Sequence, residues 1–460
     1  MDTQIDNDQP ADNLKYELYT GVRGIAIKVL NRIDRTDAYL DKMLDHELRN
    51  SELNGQDKAL LFEIVHGVLR WLNRIDWILN GFYKGAFSKS IPNVKNSLRV
   101  ALYQILFLDK IPDYAAVNEA VEFVKKLQGQ KPADQANAVL RNIIRNRDGI
   151  RFPDPDEDLV GYFSTFYSHP AWLVKRWLNQ FGKEETEKLL IANNEKPSLI
   201  LRVNTSKVTI DEFRELLNSV DLKFIEGKYL PNFIRLKTLT NITGWEYFEK
   251  GYFSIQDEST GFPGLLLDVK PDQRVLDLCA APGGKTAYIS NLMNNTGEII
   301  ALDRYDSRLK ILSKNLKRLG ITNVKLVEVN ALDYQDGEFD RVLLDAPCSG
   351  LGTISKKPDI KWKRDLNDIR NLVMLQSELL RKAATLVKIG GSIVYCTCTI
   401  EPEENFEVVE KFLSEFKNFN LEDAKKYLPE TVVDSNGCVQ TYPHIHMIDG
   451  SFAAKLVKAG

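Results

Sequence analysis

Cysteine is scarce in this chain: five in 460 residues, an odd number spread too thinly for a disulfide framework. Histidine is equally rare, at five, and there is no C-x2-C pair, so a structural zinc site is not expected. No segment approaches the ~18 consecutive apolar residues of a membrane span. The spacing G-x-G-x-x-G is missing, which argues against a hydride-transferring dinucleotide enzyme. The first residues, MDTQIDNDQPADN, are acidic and polar and lack the basic-then-apolar profile of a secretory signal. These absences point to a reducing, cytoplasmic setting with no membrane role. What is present, 43% hydrophobic and 27% charged residues, fits a soluble globular enzyme of two or three domains.

The net charge of −3 would seem to disfavour a nucleic-acid partner, but it is unevenly distributed. Residues 21–150 carry 20 Lys and Arg against 15 Asp and Glu, a local excess of +5. Binding to RNA needs a local basic face, not a basic protein. The plainer reading of that excess is a solvated helical surface.

Residues 1–18 read as a disordered tail. From 19 to 150 the apolar spacing is helical, in runs such as GIAIKVLNRI, DKALLFEIVHGVLRWLNRIDWIL and VKNSLRVALYQILFL, with Pro92, Pro112 and Pro132 at loop or helix-start positions. The polar stretch RDGIRFPDPDED (147–158) resembles a domain boundary. A small α+β linking domain is expected over 160–250. From 251 to 460 short apolar strands alternate with helices, which predicts an α/β, doubly wound, mostly parallel sheet. The motifs DLCAAPGGKT, Asp303, DAPCSG and YCTCT then all fall at C-terminal strand ends, where such sheets bind ligands.

DLCAAPGGKT (277–286) ends like a P-loop, but that motif needs a glycine where Cys279 stands. The remaining reading is a tight turn letting backbone N–H groups approach a ligand. Asp303 lies 20 residues after Gly283, where an acidic side chain holds ribose hydroxyls in nucleotide-binding sheets. DAPCSG (345–350) offers a carboxylate and a thiol; its plain alternative is a helix-capping Asp beside a buried Cys. In YCTCT (395–399), Cys396 and Cys398 point to one face of a strand and are compatible with a metal clip, a redox pair or a nucleophile with a bystander. His444 and His446 read as loop residues. SKKPDIKWKR (355–364) sets Lys356, Lys357, Lys361, Lys363 and Arg364 around Trp362, a pattern for phosphate contacts and base stacking, or else a solvated loop.

DLCAAPGGKT, DAPCSG and YCTCTIEPEEN resemble the signature motifs of the RNA cytosine-C5 methyltransferases, and together with a NusB-like N-terminal segment they resemble the RsmB/Sun (Fmu) ribosomal RNA family. Residues 21–147, with ALYQILFLDKIPDYAAVNEAVE and ANAVLRNIIRN, resemble the RNA-binding NusB domain. The likeness covers nearly the whole chain. It implies an all-α NusB-like domain, a linking domain and a Rossmann-like methyltransferase domain dependent on S-adenosylmethionine. It also implies Cys398 as nucleophile, Cys348 as the thiol assisting proton removal and release, and Asp345 as partner of the base edge, with Cys396 as filler. The cofactor would be held by Cys279, Ala280, Ala281, Pro282, Gly283, Gly284 and Lys285, with Asp303 on the ribose and Asp345 near the methionine end. Asn330 stands where the family has an acidic residue near adenine, and Asp333 is an alternative acceptor. Small-subunit ribosomal RNA is the implied substrate, with no obligate protein partner. Transfer RNA, or a non-catalytic role in ribosome assembly, is the alternative.

Overall fold

The computed structural model describes residues 18–36, 40–237 and 242–460. The tail expected over 1–18 lies outside the described residues except for Leu18. The chain divides into two compact units, one ending at Asn194 and including Lys357–Lys363, the other holding the rest. No helix among the described residues is long and apolar enough to cross a membrane.

Among the described residues, seven α-helices run between Gly21 and Arg145 in the first unit. The predicted run over 57–79 divides into helices Gly55–Arg70 and Leu72–Phe82 at Trp71, which leaves helical geometry at φ −106°, ψ 17°. Asn54 starts the first by accepting the Asp57 N–H at 2.9 Å. Pro92 opens helix Pro92–Phe107, where its missing N–H costs nothing. Leu61, Ile64, Val65, Val68, Leu98, Leu102, Leu140 and Ile143 are fully or almost fully buried and form the core. Each such side chain contributes roughly 1.5–3 kcal/mol. Gly67 permits the closest approach: a Cβ there would meet the Tyr103 ring at 1.9 Å. The polar stretch expected as a boundary packs within this unit. Trp77 donates to the Arg151 carbonyl at 3.0 Å, and Arg74 lies over the rings of Phe152 and Phe166 at 5.1 and 4.5 Å.

The second unit opens with a four-stranded antiparallel sheet of β1 (Leu199–Val203), β2 (Phe224–Glu226), β3 (Phe233–Leu236) and β4 (Phe253–Ile255), in the order β2-β3-β1-β4. The helix Ile210–Ser219 between β1 and β2 begins with a reciprocal Thr209–Glu212 capping box and buries Phe213 and Leu217.

The larger sheet contains β5 (Arg274–Asp277), β6 (Glu298–Asp303), β7 (Val324–Glu328), β8 (Phe339–Asp345), β9 (Val387–Thr397), β10 (Phe419–Glu422), β11 (Val439–Thr441) and β12 (Ser451–Lys458). Its order is β10-β12-β9-β8-β5-β6-β7, with β11 on β12. β5 to β9 are mutually parallel, whereas β10, β11 and β12 add antiparallel pairs. β5 has β6 on one side and β8 on the other, so the strand order reverses there. Loops leaving a reversal diverge and open a crevice beyond the strand ends. His444 and His446 lie in a short helix, Pro443–His446, rather than a plain loop, and buried His446 places Nε2 2.9 Å from the Thr431 carbonyl.

Candidate active site

The loop after β5 turns sharply into helix Gly284–Leu292. Gly283, with φ +102°, takes a left-handed conformation open to glycine, and a Cβ there would meet Leu312 at 2.0 Å. The loop is anchored at each step: the Ala280 N–H donates to Leu302 O at 2.9 Å, Ala281 O accepts from Arg308 at 2.6 Å and Pro282 O accepts from Asn315 at 3.1 Å. Arg308 also pairs with Asp303 at 3.0 Å, so one guanidinium joins the ends of β5 and β6. Asp303, 4% exposed, also accepts the Tyr305 N–H at 3.0 Å. Asn330 is exposed, and its side chain accepts the Leu332 N–H at 3.3 Å, capping the short turn that contains Asp333.

Asp277 lies beneath this loop, buried, with one carboxylate oxygen accepting from Thr286 at 2.7 Å. Burial pushes its pKa up to about 7, against the opposing Thr286 bond. Burial, with Asp277 and Asp345 nearby, pushes the Cys279 thiol well up. Lys285 projects from the first turn of the helix and donates to Asp345 at 2.6 Å. Burial works against the Lys285 charge, but Asp345 prevails and holds the ammonium above its ordinary range.

Asp345, at the end of β8, stands in register with Cys396 on β9. The Cys396 sulfur lies 3.6 Å from the other Asp345 oxygen. Cys396, expected as filler, is a buried thiol against the carboxylate that Lys285 holds. Three residues beyond Asp345, the Cys348 sulfur lies 3.2 Å from the Cys398 sulfur, and the Cys398 N–H donates to Cys348 at 3.3 Å. The contact with Cys398, then burial, raises the Cys348 thiol well above the usual range.

Glu404, absent from the expectations, ties the two thiol loops together. It is fully buried and accepts from the Ser349 N–H at 2.8 Å, the Ser349 hydroxyl at 2.5 Å and Gln376 at 3.0 Å. Ser349 also meets the Thr399 hydroxyl at 2.8 Å, and Gln376 donates to the Pro347 carbonyl at 2.8 Å. Burial raises the Glu404 pKa against these donors. The only signal in the sequence was its place in IEPEEN, directly after the cysteines.

The basic run 355–364 divides between buried, paired and exposed side chains. Lys356 is paired with Asp257 and, at 2.8 Å, with Asp449. A cation already shared by two carboxylates is a poor phosphate ligand. Arg364 donates to the Ser349 carbonyl at 3.2 Å, behind Cys348. Lys361 is fully buried in the first unit and donates to the Arg70 carbonyl at 2.9 Å, while the Trp362 indole donates to Leu69 O at 2.6 Å. Both therefore satisfy carbonyls at the end of helix Gly55–Arg70 that lack helical partners. Lys363 lies 3.6 Å from Asp359, and Lys357 is exposed.

Three family models match the chain: the NusB family over residues 20–145, the ferredoxin-like domain of RsmF/B-like methyltransferases over 169–243, and 16S rRNA methyltransferase RsmB/F over 264–457. The probable ribosomal RNA small subunit methyltransferase B of Bacillus subtilis is 38% identical, covering 96% of this chain and 99% of the relative. The ribosomal RNA small subunit methyltransferase B of Shigella sonnei is 36% identical, over 88% and 92% respectively. The crystal structure of NSun6 from Pyrococcus horikoshii with SFG superposes with a TM-score of 0.58 at 26% identity, covering 63% of this chain and 98% of that one. With the helical unit, the small linking sheet and the Rossmann-like sheet all matched, the chain belongs to the ribosomal RNA small subunit methyltransferase B family.

Proposed function

We propose that the chain transfers a methyl group from S-adenosylmethionine to C5 of a cytosine in small-subunit (16S) ribosomal RNA, through a covalent bond between Cys398 and C6 of the base. The observation that carries this reading is the pair of thiols in contact beside a held carboxylate at the strand-order reversal. S-adenosylmethionine, when bound, supplies an electrophilic methyl group. The crevice chemistry fits it: Asp303 keeps lone pairs for ribose hydroxyls beyond those given to Tyr305 and Arg308. The loop Cys279–Lys285 would bound the same crevice, and the exposed Asn330, or Asp333, would accept from adenine.

C5 of cytosine is a poor nucleophile. A cysteine thiolate adding to C6 makes C5 enamine-like, splitting one hard step into easier ones. Asp345, fixed by Lys285, would bond the N3/N4 edge and favour that addition. Cys348, with its sulfur 3.2 Å from the Cys398 sulfur, would hold that nucleophile in place. After methylation the C5 proton must leave before Cys398 is expelled, and Cys348, in contact with that sulfur, is suited to assist. Exposed Lys357 would contact RNA phosphates; Lys363, Arg364 and Trp362 lie on the same run.

The test is methyl transfer from labelled S-adenosylmethionine to small-subunit RNA. Cys398→Ala is expected to lose transfer, and Cys348→Ala to accumulate an RNA adduct that survives denaturing gels. Normal turnover by Cys398→Ala would overturn the assignment. Transfer to transfer RNA alone would replace the substrate and leave the chemistry.

A further inference from the structure

We propose that Cys348 and Cys398 form a site of reversible oxidation, which hydrogen peroxide closes into an intramolecular disulfide. The consequence for activity rests on Cys398 being the nucleophile; the oxidation itself rests only on geometry. The two sulfurs are 3.2 Å apart, and a disulfide is ~2.05 Å long, so little more than 1 Å of movement closes the bond.

The backbones carrying them are held side by side, 50 residues apart in sequence. The Cys398 N–H reaches the Cys348 sulfur, the next residues, Ser349 and Thr399, meet through their hydroxyls at 2.8 Å, and the Gly352 N–H donates to Cys398 O at 3.1 Å. Cys398 is only partly buried, open enough for a small oxidant. The other three thiols are placed differently: Cys279 lies on the loop after β5, Cys396 faces Asp345, and Cys438 is fully buried.

The chemistry balances with peroxide as sole oxidant. The Cys398 sulfur attacks one peroxide oxygen, the O–O bond breaks, and the displaced hydroxide takes up the thiol proton as water. Cys398 is now a sulfenic acid, oxidised by two electrons. The Cys348 sulfur then attacks the Cys398 sulfur and displaces hydroxide, which leaves as a second water with the Cys348 proton. Two thiols and one peroxide give one disulfide and two waters. A dithiol reductant restores both thiols by exchange. A thiol oxidised without such a neighbour proceeds toward the sulfinic state, which does not revert.

The experiment treats the reduced full-length chain with near-equimolar hydrogen peroxide and maps its peptides under non-reducing conditions. The expected result is a peptide joining Cys348 to Cys398, lost on dithiothreitol treatment. Cys348→Ser, given two or more equivalents of peroxide, should instead oxidise at Cys398 through the sulfenic to the sulfinic acid. Methyl transfer by the wild type should fall at least about ten-fold with peroxide and return with reductant. Oxidation of wild-type Cys398 to sulfinic acid with no cross-linked peptide, or a cross-link to a different cysteine, overturns the proposal. The mapping needs no RNA, so a chain without transfer activity would defeat the functional reading and leave the oxidation to be decided by the peptides.

Discussion

Asp277 shows what one residue beneath the cofactor loop does to stability. Its folded pKa, about 7, lies above the 3.8 of an exposed carboxyl. The folded state therefore binds more protons than the unfolded chain between those values, and stability falls as pH rises through that window, by roughly 1.4 kcal/mol per unit at the steepest. Asp277→Asn keeps an acceptor for Thr286 and removes the buried charge. Urea unfolding across pH 4 to 8 should show a flatter stability profile in the variant, with its largest gain at pH 8; parallel profiles would show that Asp277 does not carry the dependence. Nothing in the sequence marked this: DLC reads as the end of an apolar strand, and only the fold shows that Asp277 is sealed under its own loop. The residues with legible chemistry, Cys348, Cys398, Asp345 and Lys285, lie in contiguous motifs whose spacing survives folding.

At the scale of elements, the strand ends were readable because apolar runs and glycine turns alternate, but the ties between loops were not. Glu404 follows β9, Ser349 follows β8, and Gln376 lies in helix Leu366–Leu386, so their meeting depends on tertiary packing rather than on any local pattern. Glu404→Gln places an amide donor among donors from Ser349 and Gln376, and should cost about 2 kcal/mol of stability. Because the same carboxylate joins the two thiol loops, transfer should fall by more than the folded fraction does. Chemical denaturation beside single-turnover kinetics separates the two; a rate loss that tracks folded protein alone would make Glu404 purely structural. Arg308 presents the same lesson: its helix was expected, but its ion pair with Asp303 and its hydrogen bond to the Ala281 carbonyl were not.

Across the whole chain, charge counted along the sequence overstates what is available to RNA. The first unit's excess of basic residues is partly consumed: Arg99 is buried between Asp34 and Asp76, and Arg23, Lys28 and Arg147 pair with Glu119, Glu47 and Asp113. Lys361 was read as a phosphate ligand because the run around it is basic; burial, then Arg70, instead pushes its pKa far down and it closes a helix end. The difference is measurable. Each phosphate contact steepens the dependence of log K on log salt by about one. Lys357→Ala, at an exposed cation, should reduce the slope for small-subunit RNA by about that much. Lys361→Met should leave the slope alone and lower stability by about 1 kcal/mol, since the Arg70 carbonyl loses its donor. A Lys361→Met variant that keeps its stability but loses one unit of slope would restore Lys361 to the RNA interface and displace it from the helix end.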